Sequence, residues 1–168
     1  EGCRAAGVVV WAYCLMPNHV HLILTPSDAD GLRAALGEAH RRYTRHVNFR
    51  EGWRGYLWQG RFASFPMDES HVLACARYVE LNPVRARLAR RARDWRWSSA
   101  RSHIAGRRIK DDPLTDIEAI GKHVANWRAL LKIGPDAMDD MGTIEEIEAR
   151  MRTGRPLASP EWIEEAEA

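Results

Sequence analysis

Long hydrophobic runs are missing from this 168-residue chain. The stretch from Val8 to Met16 is apolar for only nine residues, far short of the roughly 20 that a membrane-spanning helix needs. It also lacks the flanks of a secretory signal, so the chain reads as soluble and cytoplasmic. Cysteine is scarce: Cys3, Cys14 and Cys75 are odd in number and share no metal-binding or redox spacing. They read as reduced, packed thiols, and both a disulfide framework and a cysteine zinc site are excluded. Lysine is nearly absent from the first 110 residues, where 18 of the 19 basic residues are arginine. Internal repeats and low-complexity tracts are absent as well.

A strong asymmetry is present. Residues 1–110 carry 19 basic and 9 acidic residues, a net of +10, whereas residues 111–168 carry 6 and 14, a net of −8. The arginine-rich body predicts a polyanionic partner, because the planar guanidinium suits bidentate phosphate contacts. With 45% hydrophobic residues and seven tryptophans, the length accommodates one ordinary domain with an appendage. The division is read as a domain over residues 1–106 and an acidic helical appendage over 107–168.

Along the chain, Gly7 to Leu15 is rich in Val, Trp and Tyr and predicts a strand. Met16-Pro17-Asn18 supplies a turn, and His19 to Thr25 completes a hairpin. On such a strand His19 and His21 project to one face, and Val20, Leu22 and Leu24 to the other, toward a core. Leu32, Leu36, Ala39, Tyr43 and Val47 recur at helical spacing, with Arg33, Arg41, Arg42 and Arg45 on the rest of that helix. A glycine-punctuated aromatic loop follows from Gly52 to Gly60, then Arg61 to Pro66 reads as a short strand. Trp53, Tyr56 and Trp58 among Arg54, Gln59 and Arg61 suit stacking on unpaired bases, or simple packing beneath a loop.

Asp68 or Ser70 predicts the cap of a helix whose buried stripe is Val72, Leu73, Ala76 and Val79. Tyr78 and Asn82, four residues apart, are neighbours on one helix surface. Pro83 predicts a helix break there, with Asn82 capping a new helix. Val84 to Arg93 is very basic, and Asp94 to His103 reads as a loop running into a short helix. Asp111 to Ile133 reads as one helix broken by Gly134-Pro135-Asp136. Thr143-Ile144-Glu145-Glu146 is a capping box opening a helix to about Arg152, and Ser159-Pro160 opens the last one. The two short terminal helices allow a helix-turn-helix, but their acidic composition favours a packing appendage.

Two imidazoles fixed side by side on a strand, with one amide or carboxylate oxygen, make a sensible site for Mg²⁺ or Mn²⁺ acting on phosphate. A tyrosine hydroxyl beside such an ion can become a nucleophile toward a phosphodiester. H-x-H alone is weak, since paired histidines also occur on solvated strand faces.

Three blocks in order make the signal specific. MPNHVHLIL, LWQGRF and YVELNPVRA together resemble the REP-associated tyrosine transposases, within the single-tyrosine HUH transposase family. The similarity runs from about Val8 to Ser102, with a weaker block (TGRPLASPEWI) in the tail. The resemblance implies an α+β fold, an antiparallel sheet flanked by helices in a ferredoxin-like or RRM-like arrangement. It implies metal ligands at His19, His21 and Asn82, a catalytic nucleophile at Tyr78, and a divalent Mg²⁺ or Mn²⁺ cofactor. The implied activity is cleavage and rejoining of single-stranded DNA near REP-like hairpins through a 5′-phosphotyrosine, by a nucleoid-associated monomer or homodimer. DNA contacts are expected at Arg41, Arg45, Trp58, Gln59, Arg61, Arg85 and Arg87. Such domains usually open with a strand and helix ahead of the hairpin, whereas this chain starts at Glu1; an N-terminally truncated domain is therefore expected. Two other readings are a non-catalytic binder of DNA hairpins, and a phosphoesterase that uses activated water while Tyr78 is merely packed.

Overall fold

The structure, a computed structural model, describes residues 2–132 and 144–167. Its order is α1 (Gly2–Ala5), β1 (Val8–Leu15), β2 (Val20–Pro26), α2 (Gly31–Glu51), α3 (Glu69–Arg85), α4 (Ala100–Ala105), α5 (Ile117–Gly121), α6 (Trp127–Lys132), α7 (Ile144–Thr153) and α8 (Pro160–Glu167). The fold is α+β. β1 and β2 pair in a two-stranded sheet, and their tight connection makes them antiparallel. Met16-Pro17-Asn18 forms the predicted turn, closed by the Met16 amide donating to the His19 carbonyl at 2.9 Å. No described helix is long and apolar enough to cross a membrane.

The chain divides into two compact units that share the hairpin. The first holds residues 1–10 and 24–63. In it α1 packs against α2, and Gly31 makes the start of α2 possible. A Cβ there would come within 3.1 Å of the Ala6 carbonyl oxygen and of the Pro26 side chain. This close approach sets the inner face of α2: Gly31, Ala35 and Val47 are buried, while Tyr43, expected in the stripe, is exposed. α2 ends at Gly52 in the left-handed conformation (φ 68°), which glycine adopts without steric cost.

The second unit holds residues 11–23 and 64–168. Its core joins Ala12, Cys14 and Ile23 of the hairpin to Val72, Cys75, Tyr78, Val79 and Leu81 of α3, and to Ile120, Trp127, Ile147 and Leu157. The acidic helices are thus packed by their apolar residues onto the same core as α3. The free edge of β1 is covered by a loop. The Leu15 amide donates to the Trp97 carbonyl at 2.8 Å, the Ser99 amide donates to the Tyr13 carbonyl at 3.0 Å, and Cys14 bridges Ser98. Burial pushes the thiols of Cys14 and Cys75 up to about 12, so these packed cysteines stay protonated and unreactive. The cysteines are free.

Four expectations are corrected. Ile23, on the histidine face of β2, is buried, while Val20 on the opposite face is 38% exposed; the histidine face is the one that meets the core. Residues 61–66 are not a strand; instead Met67 makes an isolated bridge with Leu157, whose amide donates to the Pro66 carbonyl. α3 runs through Pro83 to Arg85. The helical bond from the Ala86 amide to the Asn82 carbonyl (2.9 Å) persists beyond the proline, and Leu81 and Pro83 are both buried, so packing overrides the local break. Asp111 to Lys132 forms two short helices, not one. The Asp112 carboxylate takes the Leu114 and Thr115 amides, which delays the helix, and Asp116 caps the start of α5 by accepting from the Glu118 and Ala119 amides. Asn126 then caps α6 by accepting from the Ala129 amide. Ile133, Gly134-Pro135-Asp136 and Thr143 lie outside the described residues.

Asp68 caps α3 and secures the chain's far end. Its carboxylate accepts from the His71 amide (3.1 Å), the Ser70 hydroxyl (2.6 Å) and the Ser159 amide (2.7 Å). Burial works to raise its pKa, but these bonds, with the His71 ring, outweigh it and hold the carboxyl well below the usual range. Asp68→Ala is expected to lose about 1–2 kcal/mol at neutral pH, the usual worth of such a cap, measured by urea denaturation. Because the folded-state pKa is depressed, this stability is complete above the unfolded value of about 4 and is lost as pH falls toward the folded value. The gap between native protein and variant should therefore shrink below pH 4. Equal midpoints at pH 7 would contradict this role.

Candidate active site

The histidines sit where the hairpin turn enters β2, and their rings meet edge to face with centroids 4.7 Å apart. Their Nε2 atoms are 3.0 Å apart. Asn18, within the turn, accepts from His19 Nδ1 at 2.7 Å, which turns His19 Nε2 toward its partner. A hydrogen-bond acceptor behind the outward nitrogen is the usual support of a metal-ligating histidine. His21 is more enclosed. Burial first, then His19 and Arg85, lowers its pKa to about 4, so it is neutral at pH 7 and available as a ligand.

α3 brings the tyrosine to this pair. The Tyr78 ring meets the His21 ring edge to face at 5.5 Å between centroids. The Arg85 guanidinium lies 5.2 Å from the Tyr78 ring centroid. Arg85 is itself held by a Glu148 carboxylate of α7, with Nη2 to Oε1 at 2.7 Å. Burial raises the Tyr78 pKa, and Glu148 adds to the rise; Arg85 and the Asn82 amide, both hydrogen-bonded toward the hydroxyl, pull the other way. The resting hydroxyl is therefore protonated, with two hydrogen-bond donors already aimed at the oxygen. Asn82 thus sits beside Tyr78, as the four-residue spacing on α3 predicts.

The donor set fits a divalent cation in part. Metal–imidazole bonds are about 2.0–2.1 Å, so two nitrogens at right angles around one ion lie about 3 Å apart, the spacing of the Nε2 pair. Among the described residues no cluster of three or more His, Cys, Asp or Glu side chains accompanies them. The remaining ligands would have to be amide, water or phosphate oxygens, as suits Mg²⁺ or Mn²⁺.

The other expected contacts are divided between the units. Arg85 and Arg87 belong to the second, and Arg41, Arg45, Trp58, Gln59 and Arg61 to the first. Arg41 shares Glu38 with Arg42 in short ion pairs. Trp58 is half-buried, stacked on His40 with centroids 4.1 Å apart and donating its indole N–H to the His40 carbonyl. It is a packed residue of the loop. Arg45, Gln59 and Arg61 are exposed, and so are Trp53 and Tyr56, at 60% and 101%.

Two features escape sequence reasoning. Glu148 is 63 residues from Arg85, and nothing in its own surroundings distinguishes it from the other acidic residues of the tail. Glu80, two residues beyond Tyr78, is fully buried, where its Oε1 accepts from the Ser99 hydroxyl and His103 Nδ1, each at 2.5 Å. A glutamate within an otherwise apolar helical stretch is the one hint of that network. Residues 1–82 match the family model described as "Transposase IS200 like", a span that contains both histidines, Tyr78 and Asn82 and stops short of Arg85 and Glu148. No curated protein and no solved structure matches the chain.

Proposed function

With residues 1–82 matching the IS200-like transposase family, we propose that the protein is a divalent-metal-dependent transposase of the REP-associated type. In this reading it cuts and rejoins single-stranded DNA near hairpins, with Tyr78 as nucleophile. The single observation that carries this reading is the packing of the Tyr78 ring against His21, whose Nε2 stands 3.0 Å from that of His19. A structural tyrosine has no need of a histidine pair at its edge. A nucleophilic one does, because the pair can hold the ion that polarises the phosphate.

The chemistry is an in-line exchange. The Tyr78 oxygen bonds to phosphorus as the bond from phosphorus to the 3′ oxygen breaks. The phenolic proton is given up and the departing oxygen becomes a 3′-hydroxyl. The phosphate stays bound to the 5′ end as a phosphotyrosine, so the ester is conserved and the reverse attack reseals a strand without ATP. His19 and His21, with the Asn82 amide, would hold Mg²⁺ or Mn²⁺. When bound, that ion draws charge from the phosphoryl oxygen and from the leaving oxygen. Arg85 and Asn82 donate toward the Tyr78 oxygen and oppose the rise in pKa that burial imposes, which makes the hydroxyl a better nucleophile at neutral pH.

His21→Ala tests the metal role. Titration of the DNA-free protein with Mn²⁺, followed by electron paramagnetic resonance, is expected to show one bound ion in the native chain and at least about tenfold weaker binding in the variant. Covalent capture of a single-stranded hairpin oligonucleotide should fall with it and vanish in EDTA. Equal Mn²⁺ affinity in both proteins would remove the histidines from the metal site. Cleavage without a protein–DNA adduct would favour activated water as the nucleophile instead.

A further inference from the structure

Asn18 stands immediately before the histidine pair, in the turn between β1 and β2. We infer that it is a positioning residue of the metal site. Its amide oxygen holds His19 as the tautomer protonated on Nδ1, and so keeps the lone pair of His19 Nε2 open to a divalent cation. The inference rests on the metal-dependent reading given above and deepens it; Asn18 is assigned no contact with the ion, with DNA or with Tyr78.

The two histidines are held in unlike ways. The His21 ring is partly enclosed and packs against the Tyr78 ring of α3 at 5.5 Å between centroids, so its orientation comes with the fold. His19 is exposed. Its ring meets that of His21 at 4.7 Å, and its Nδ1 lies 2.7 Å from Asn18 Oδ1. An exposed imidazole left to itself samples several rotamers, most of which turn Nε2 away from its partner. A bond to the far side of the ring, from a group fixed in a turn, removes that freedom before an ion arrives.

The same bond sorts the protons. The two Nε2 atoms stand 3.0 Å apart, a hydrogen-bond distance, so one proton lies between them. With the amide oxygen accepting at His19 Nδ1, that proton belongs to His21 and His19 Nε2 is the acceptor. The opposite arrangement, with the amide nitrogen donating to Nδ1, would put a proton on His19 Nε2 and block it.

Local structure explains why position 18 can do this. Neighbours on a strand point to opposite faces, so two adjacent strand side chains could not meet. β2 begins at Val20, which leaves Asn18 in the turn and free to reach His19. The residue pair is not the one that hairpin twist selects. Two-residue hairpin loops favour turns with positive φ, typically Asn-Gly or Asp-Gly. Pro17 is locked near a φ of about −65°, and Asn18 is not among the described non-glycine residues with positive φ. A short acceptor at this position is explained by the imidazole it supports.

The test compares the native full chain with Asn18→Ala, Asn18→Asp and His21→Ala, all free of DNA. Mn²⁺ titration followed by electron paramagnetic resonance gives the affinity, and ¹⁵N-correlated NMR of the metal-free proteins gives the tautomer of His19. Asn18→Ala is expected to weaken Mn²⁺ binding about tenfold and to leave His19 as a mixture of tautomers. Its thermal midpoint should stay near native, because the bond it loses is exposed. Asn18→Asp can only accept, and should keep the Nδ1-protonated form with native affinity or better. Native affinity in Asn18→Ala, an aspartate variant as weak as the alanine one, or a native His19 protonated on Nε2 would each overturn the assignment. Native affinity in Asn18→Ala beside weakened binding in His21→Ala would remove only the role of Asn18. Native affinity in both would remove the histidine metal centre as well.

Discussion

Tyr78→Phe is expected to abolish covalent attachment to DNA, a loss on the order of 10³-fold or more, while leaving DNA affinity within about twofold. The substitution removes one oxygen. The ring that packs against His21, and over which Arg85 lies, is retained, as is its packing within the core of α3 and the hairpin. Arg85 and Asn82 lose an acceptor, but Arg85 keeps Glu148 and Asn82 is only half-buried, so the cost to stability stays near the ~1 kcal/mol of one hydrogen bond. The measurement is a denaturing gel with labelled oligonucleotide and Mn²⁺, beside a native gel for binding. An adduct of native yield in the variant would place the nucleophile elsewhere.

Glu80→Ala is expected to cost about 3–5 kcal/mol, the largest stability effect among these predictions, because it breaks a buried pair by removing one partner. Glu80 and His103 side chains are both completely buried, and the carboxyl group is the acceptor for Ser99 Oγ as well as for His103 Nδ1. Ser99 also receives the Tyr13 amide at 3.0 Å, so the network pins the covered edge of β1 to α3. The His103 ring in turn stacks on Trp127 of α6 at 4.1 Å between centroids. Without Glu80, polar atoms of α4 and of the loop before it are stranded in the core. Glu80→Gln keeps the shape and one acceptor oxygen and should lose distinctly less. Thermal unfolding of both variants checks the order; equal destabilisation would mean that neither volume nor a single acceptor oxygen suffices and that the carboxylate itself is what Glu80 supplies.

The hairpin and its turn are legible in the sequence because period-two patterning and the Met16-Pro17-Asn18 turn act locally. So is the start of α3, where Asp68 caps it. The relation of Tyr78 to Asn82 follows from helical spacing alone. What is not legible depends on contacts distant in sequence. Val20, Leu22 and Leu24 point to the wrong buried face of β2, because the helix that covers the sheet lies on the histidine side. A strand over Arg61 to Pro66 is plausible by composition but lacks a pairing partner. The break at Pro83 is a sound local rule overridden by burial of α3 on several sides. In the segment from Asp111 to Lys132, apolar periodicity is real, but Asp112 holds amides ahead of α5, and Asn126 caps a separate α6 after α5 has ended at Gly121. Glu148 is invisible, since the ion pair that links the acidic tail to Arg85 exists only once α7 is docked.

The central claim is that Tyr78 becomes joined to DNA. Trypsin cleaves after Arg77 and after Arg85, releasing Tyr78 to Arg85 as an eight-residue peptide with one tyrosine. The decisive measurement is mass spectrometry of that peptide after incubation with a single-stranded hairpin oligonucleotide and Mn²⁺, followed by nuclease and trypsin digestion. The account predicts this peptide carrying a 5′-linked nucleotide on Tyr78, absent when EDTA is added. A nucleotide on any other residue, or cleaved DNA with every peptide unmodified, would contradict it.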